Sequence, residues 1–173
     1  TVGVLEQRVA ALEGGSASVC VSSGMSAVFC ALTALVSQGD HVVASANMYG
    51  GNISLLKNTL PRFGITATFV DPTDIKQIES AIQENTKIIF GELIGNPGLS
   101  VMDIEAVSKI CSKHHLPLMI DGTFNTPYLC RCFEYGANII VHSLTKWMGG
   151  HGTSIGGVVV DGGNFDWGKD DKF

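Results

Sequence analysis

The residues best suited to chemistry are one lysine, one aspartate and a short serine–glycine run. Lys146 closes the segment His142-Ser143-Leu144-Thr145-Lys146, and Trp147-Met148-Gly149-Gly150-His151-Gly152 follows it. An isolated lysine is usually a solvated surface residue. In an apolar, glycine-rich loop it is expected to be partly buried, and burial lowers an amine's proton affinity toward nucleophilic use. Ser143 and Thr145 put two hydroxyls beside it. Ser22-Ser23-Gly24-Met25-Ser26 precedes a helical pattern. A helix start exposes unpaired N–H groups, and glycine lets the backbone approach an anion, so the run reads as a phosphate cradle. The commoner reading of such a run is a serine-capped helix with a glycine turn. Asp121 could pair with a protonated heterocyclic nitrogen or cap the turn Gly122-Thr123. Tyr49, in Asn47-Met48-Tyr49-Gly50-Gly51, could stack on a planar ligand or pack at a loop base. Asn96, in Gly95-Asn96-Pro97, could offer an amide to a ligand or serve the turn.

These residues need elements to position them. Apolar runs predict strands at Ala17–Val21, His41–Ala44, Thr66–Val70, Thr86–Glu92, Leu116–Ile120, Ala137–Val141 and Ile155–Val160. Helical patterns cover Val4–Leu12, Met25–Val36, Gly51–Leu60, a stretch from the Asp74 cap through Ile82, and Ile104–His114 after the Asp103 cap. Pro61 and Gly64 are expected to end the third helix. Several strands are continuous apolar runs, as in a parallel sheet covered on both faces. Alternating strands and helices predict an α/β fold of three layers, α/β/α, with a mostly parallel sheet. In such sheets ligands collect beyond the carboxyl ends of the strands. Ser23, Tyr49, Asn96, Asp121 and Lys146 all follow strand runs. One planar, phosphorylated, basic heterocycle carrying an aldehyde would use every one of them.

Composition narrows the class. The chain has 173 residues, 45% apolar and 16% charged, which suits one globular domain. Eleven basic against sixteen acidic residues, a formal charge of −5, argue against nucleic-acid binding. No apolar run approaches the roughly 18 residues of a membrane span, and no signal peptide is evident. The five cysteines show no CxxC spacing and read as buried reduced thiols of a cytoplasmic protein, with no metal site. The chain opens inside a helical pattern and closes on Lys169-Asp170-Asp171-Lys172-Phe173, so it reads as a fragment.

Six stretches together resemble the Cys/Met-metabolism PLP-dependent enzymes, of the aspartate-aminotransferase fold type. They are Leu12-Glu13-Gly14-Gly15, Ser22-Ser23-Gly24-Met25-Ser26-Ala27, Tyr49-Gly50-Gly51, Gly95-Asn96-Pro97, Ile120-Asp121-Gly122-Thr123-Phe124 and His142-Ser143-Leu144-Thr145-Lys146. The resemblance covers essentially the whole chain, and residues 1–173 would be the large, PLP-binding domain. It implies that pyridoxal 5'-phosphate is the cofactor and that Lys146 holds it as a Schiff base. Asp121 would keep the pyridine nitrogen protonated, and Tyr49 would stack on the ring and help to shuttle protons. Ser23, the Gly24 and Met25 amides and the Ser143 and Thr145 hydroxyls would take the phosphate. Asn96 would bond the ring's phenolic oxygen, and Thr123 would lie beneath the ring.

The segments Lys146-Trp147-Met148-Gly149-Gly150-His151-Gly152 and Gly156-Gly157-Val158-Val159-Val160-Asp161-Gly162-Gly163 are similar to the O-acetylhomoserine sulfhydrylase branch. That branch implies a transferase of amino-acid biosynthesis, converting O-acetyl-L-homoserine and sulfide to L-homocysteine and acetate. It also implies a homodimer or homotetramer with shared sites. A cystathionine γ-synthase or γ-lyase of the same family is the alternative. A non-catalytic domain holding a nucleotide or phosphate at Ser22–Ser26 is the alternative of another class, opposed by the lack of GxGxxG or GxxxxGKS. Gly122 departs from the family's usual Asn, and Asn125 from a small residue. The family's N-terminal arm and C-terminal domain have no counterpart here.

Overall fold

The computed structural model describes residues 1–173 as a seven-stranded sheet between two helical layers. The strands are β1 (Ala17–Val21), β2 (His41–Ser45), β3 (Thr66–Val70), β4 (Thr86–Glu92), β5 (Leu118–Asp121), β6 (Ile139–Ser143) and β7 (Gly157–Asp161). Their spatial order is β1-β7-β6-β5-β4-β2-β3. All pairings are parallel except those of β7, which runs against both β1 and β6.

Alternation along the central strands feeds two cores. Val43, Ile89, Leu118 and Ile120 face one way, against α1 (Val2–Glu13), α4 (Ile75–Ser80) and α5 (Ile104–His114). Val42, Ala44, Ile88, Phe90 and Met119 face the other, against α2 (Gly24–Leu35) and the stretch that begins with α3 (Gly50–Ser54). This is why the central strands read as unbroken apolar runs: each successive side chain is buried, on opposite sides. The edge strands β1 and β3 are only part-buried.

Local signals set the helix starts. Asp74 accepts from the Gln77 N–H at 3.0 Å, and Asp103 accepts from the Ala106 N–H at 2.9 Å. Each satisfies an orphan donor of a first turn. Several boundaries differ from the sequence reading. After α3 the chain does not stop at Pro61; a π-turn over Leu55–Thr59 passes into a 3-10 turn over Leu60–Phe63. Proline is tolerated there because it stands in the first turn of the new segment, where an N–H needs no partner. Gly64, at φ 73°, ends it. Strands β5, β6 and β7 each start two residues later than their apolar runs, because Leu116, Ala137 and the Ile155–Gly156 pair lie in the approaching loops. A short helix α6 (Thr126–Leu129) and a 3-10 turn over Cys132–Tyr135 gave no periodic signal. All five cysteines are free, but only Cys111 and Cys132 are buried; Cys30 is exposed. No helix is long and apolar enough to cross a membrane.

At the amino end of the sheet, His41 is buried between two hydroxyls, Thr86 Oγ1 at 2.8 Å from Nδ1 and Thr68 Oγ1 at 2.9 Å from Nε2. Burial holds its proton affinity below the ordinary value of 6.5. The unfolded chain therefore takes up the proton first as the pH falls. The stability this neutral ring contributes is complete above 6.5 and is lost as the pH drops through the lowered folded value. The stability advantage of the wild type over His41→Gln is expected to shrink below pH 6.5. Urea midpoints of both proteins across that window measure it, and a constant difference would contradict the account.

Candidate active site

The carboxyl ends of the parallel strands open into one cavity of about 660 Å³. Ser23, Gly24, Met25, Tyr49, Asn96, Asp121, Thr123, Ser143, Thr145 and Lys146, the ten residues singled out from the sequence, all line it. They come from five segments, at the ends of β1, β2, β4, β5 and β6. The sequence keeps them apart, but a parallel sheet brings every strand's carboxyl end to the same edge.

One wall is the start of α2. Ser23 caps it, its Oγ accepting from the Ser26 N–H at 3.1 Å. The Gly24 and Met25 amides come first in the helix and have no intrahelical acceptor. They lie against β6 at very short range. A Cβ on Gly24 would sit 2.6 Å from the Ser143 Cβ, and one on Gly157 would sit 2.0 Å from the Ser23 carbonyl oxygen. Only glycine allows these backbones to meet. The Ser143 side chain thus stands beside the free amides, with the Thr145 hydroxyl two residues on. Thr145 Oγ1 accepts from the Gly156 N–H at 3.1 Å, which ties the lysine-bearing loop to β7.

The opposite wall carries the acids. Asp121 is the last residue of β5. Its Oδ1 accepts from the Thr123 N–H at 3.0 Å and from the Thr123 hydroxyl at 2.6 Å, and its Oδ2 accepts from Asn52 Nδ2 at 3.2 Å. The Thr123 oxygen in turn accepts from the Ser143 N–H at 2.9 Å. Thr123 therefore links the acid to the cradle.

Sequence reasoning missed two lining residues that prove central to this wall, Glu92 and Asn52. Glu92 ends β4 as Asp121 ends β5, and the two are register partners. The strand-end rule that selected Asp121 would have selected Glu92 as well. Nothing in the sequence around Asn52 marks it, because its role depends on where α3 crosses the sheet. Burial first, then the neighbouring Asp121 charge, pushes the Glu92 carboxyl up to about 7, although three hydrogen bonds oppose the shift.

Two expectations change. Lys146 is exposed rather than partly buried, because the turns that follow β6 carry it over the open side of the cavity. Its Nζ makes no hydrogen bond or ion pair within the chain. Gly122, where the resemblance leads one to expect Asn, lies over the His142 ring; a Cβ there would be 2.7 Å from His142 Cε1. That buried imidazole is held by Glu13 at 2.5 Å. Asn125 is buried and donates to the Cys130 carbonyl at 2.9 Å, which holds the loop after α6.

Residues 1–173 match the Cys/Met metabolism PLP-dependent enzyme family. Homocysteine synthase of Schizosaccharomyces pombe is 49% identical over 173 residues, which take in 99% of this chain and 40% of the relative. O-acetyl-L-homoserine sulfhydrylase of Leptospira meyeri is 49% identical over 169 residues, 98% of this chain and 38% of the relative. Among solved structures, a candidate O-acetylhomoserine (thiol)-lyase of Campylobacter jejuni, with N'-pyridoxyl-lysine-5'-monophosphate, has a TM-score of 0.97. It is 40% identical, over 99% of this chain and 43% of that one. A cystathionine gamma-lyase of Lactobacillus plantarum, complexed with L-serine, gives 0.89 at 38% identity, over 91% of this chain and 41% of that one. The chain belongs to the Cys/Met metabolism PLP-dependent enzyme family. It spans about two fifths of the length of the curated relatives it matches.

The residues present fit the family's cofactor. The gap beside Gly24 is one that a single Cβ would close, and free amides and hydroxyls line it. A carboxylate stands across the cavity for a cationic ring nitrogen, and a free amine for an aldehyde. Gly24→Ala is expected to force α2 away from β6 and weaken pyridoxal 5'-phosphate binding about tenfold or more, as one lost charge-assisted hydrogen bond would. Equilibrium dialysis of the cofactor against both proteins checks this, and equal affinity would show that the close approach does not shape the cradle.

Proposed function

We propose, from that membership, that residues 1–173 are the cofactor-binding large domain of a transferase that replaces the γ-acetoxy group of O-acetyl-L-homoserine with sulfide. The products are L-homocysteine and acetate: a C–O bond breaks, a C–S bond forms, and the acetate departs with the electron pair. One observation carries the reading: a free amine, a hydrogen-bonded carboxylate and an anion cradle meet in a single cavity. The substrate follows the names of two relatives, each 49% identical.

When bound, pyridoxal 5'-phosphate supplies an aldehyde for amines and a protonated ring that withdraws electrons from the substrate's Cα. The chain's own residues do the rest. Lys146 Nζ would hold the aldehyde and, once displaced by the substrate amine, take the proton from Cα. Asp121 would keep a proton on the pyridine nitrogen, its carboxylate oriented by Thr123 and Asn52. The Gly24 and Met25 amides, with Ser23, Ser143 and Thr145, would bind the phosphate. The Tyr49 ring would cover one face of the cofactor, and its hydroxyl would assist proton movement. Thr123 would support the other face, and Asn96 would donate to the phenolic oxygen.

We also propose a homodimer or homotetramer with sites at subunit contacts, in the cytoplasm. Exposed apolar side chains, Tyr128 (92% exposed), Leu129 and Trp147, support the assembly, and five free cysteines suit a reducing compartment.

Two measurements test the reading. The full-length protein given O-acetyl-L-homoserine and sulfide should form homocysteine and acetate in equal amounts; turnover only of cystathionine or cysteine would select the lyase or cystathionine-synthase reading instead. Borohydride reduction followed by peptide mass mapping should place the pyridoxyl mass on Lys146. Lys146→Ala should lose that adduct and at least a thousandfold in rate, the scale expected when a group acting as both nucleophile and base is removed. An adduct at another lysine would sink the assignment.

A further inference from the structure

Glu92 and Asp121 end adjacent parallel strands in direct register, so two carboxylates point into one cavity from neighbouring positions. Like charges so placed repel unless donors intervene. The donor is Asn52, which is fully buried. Its Nδ2 donates at 3.2 Å to Glu92 Oε1 and at 3.2 Å to Asp121 Oδ2. Two acceptors fix the orientation of the amide, and its Oδ1 is left buried without a partner.

Glu92 does more than face Asp121. Its Oε1 accepts from the Tyr49 N–H at 2.7 Å, and its Oε2 accepts from the Asn96 N–H at 3.0 Å. These two loops follow different strands, and no backbone hydrogen bond joins Tyr49 to Asn96. One side chain therefore fixes the residues assigned to the ring face and to the phenolic oxygen. Through Asn52 it also reaches the residue assigned to the ring nitrogen.

We propose that Glu92 is the positioning residue of the site: its carboxylate sets the places of Tyr49 and Asn96, and its charge, relayed through Asn52 and Asp121, raises the proton affinity of the bound cofactor. This rests on the reading that the cavity holds pyridoxal 5'-phosphate. The titratable groups lining the cavity with it are Asp121, Tyr49 and Lys146. Its carboxyl, pushed up to about 7 by burial and by Asp121, changes charge near neutrality. A cationic cofactor alongside favours the charged form.

The test uses the full-length protein loaded with pyridoxal 5'-phosphate. Glu92→Gln keeps the shape but removes the charge, and it turns a donor toward an N–H group. Cofactor affinity is expected to fall about tenfold, the effect of one misfit charge-assisted bond. The pH midpoint of the visible cofactor band is expected to move down by about one unit, since a nearby negative charge has gone. Asn52→Ala leaves both backbone contacts of Glu92 in place and cuts only the relay, so the midpoint alone is expected to move. A purely structural role would lower the melting temperature of either variant without moving the midpoint. An unmoved midpoint in Asn52→Ala overturns the relay even if Glu92→Gln does not fold. Unchanged cofactor affinity in a folded Glu92→Gln overturns the positioning. Failure of the wild type to bind the cofactor would refute the underlying reading instead, and it is seen before any variant is compared.

Discussion

The site depends on two backbones that touch. The first turn of α2 lies on the end of β6 and the start of β7 so closely that Gly24 and Gly157 have no room for a side chain. This contact brings the free amides of a helix start beside Ser143, and it sets where Thr145 and Lys146 begin their turn. Helix α2 is held in turn by a core of Ala27, Val28, Ala31 and Leu32 against Val42, Met119 and Val141. An apolar layer of this kind is stiff. The cradle is therefore fixed by packing rather than by hydrogen bonds to the ligand, and it exists before anything binds. Preorganisation of this kind lowers the ordering cost of binding.

The far wall follows another logic. Two carboxylates at adjacent strand ends are unfavourable in isolation, and burial alone would neutralise one of them. The structure offsets this with donors: Thr123 and Asn52 on Asp121, and Tyr49, Asn96 and Asn52 on Glu92. Each carboxylate accepts three hydrogen bonds, so neither faces the other without donors between them. Glu92 is the deeper of the two, and burial with the neighbouring Asp121 pushes its proton affinity up.

Much of this was legible in the sequence, and the rest was hidden for definable reasons. Strands β1, β3 and β4 match their apolar runs at both ends because turn residues flank them closely. The Asp74 and Asp103 caps were readable because an acid before an apolar helical pattern has one favourable use there. Strands β5 and β6 were placed two residues early because Leu116 and Ala137 are buried in loops, and an apolar residue looks the same in a loop as in a strand. The π-turn after Ser54 leaves no mark in composition. Ser23, Tyr49, Asn96, Asp121 and Lys146 are legible because polar side chains follow strand runs, whereas Thr123 rests on the family resemblance alone. Glu92 escaped because it was counted as the last residue of its strand, and Asn52 because only tertiary crossing gives it two acids to bridge. The exposure of Lys146 is not legible, because an apolar, glycine-rich loop suggests burial, whereas the lysine stands at the rim of the open cavity.

The two walls give the cavity a direction. The positive end of the α2 dipole, free amides and hydroxyls lie at the β6 side, and two carboxylates lie at the ends of β5 and β4. Neighbouring strands are about 4.8 Å apart, so the poles are separated by one to two strand spacings, roughly 5–10 Å. A ligand anionic at one end and cationic at the other is held in one orientation by this field. An anion of similar shape without the cation would face the acids and be rejected. Under the proposed reading, that orientation would bring a ligand's reactive carbon toward the loop that carries Lys146.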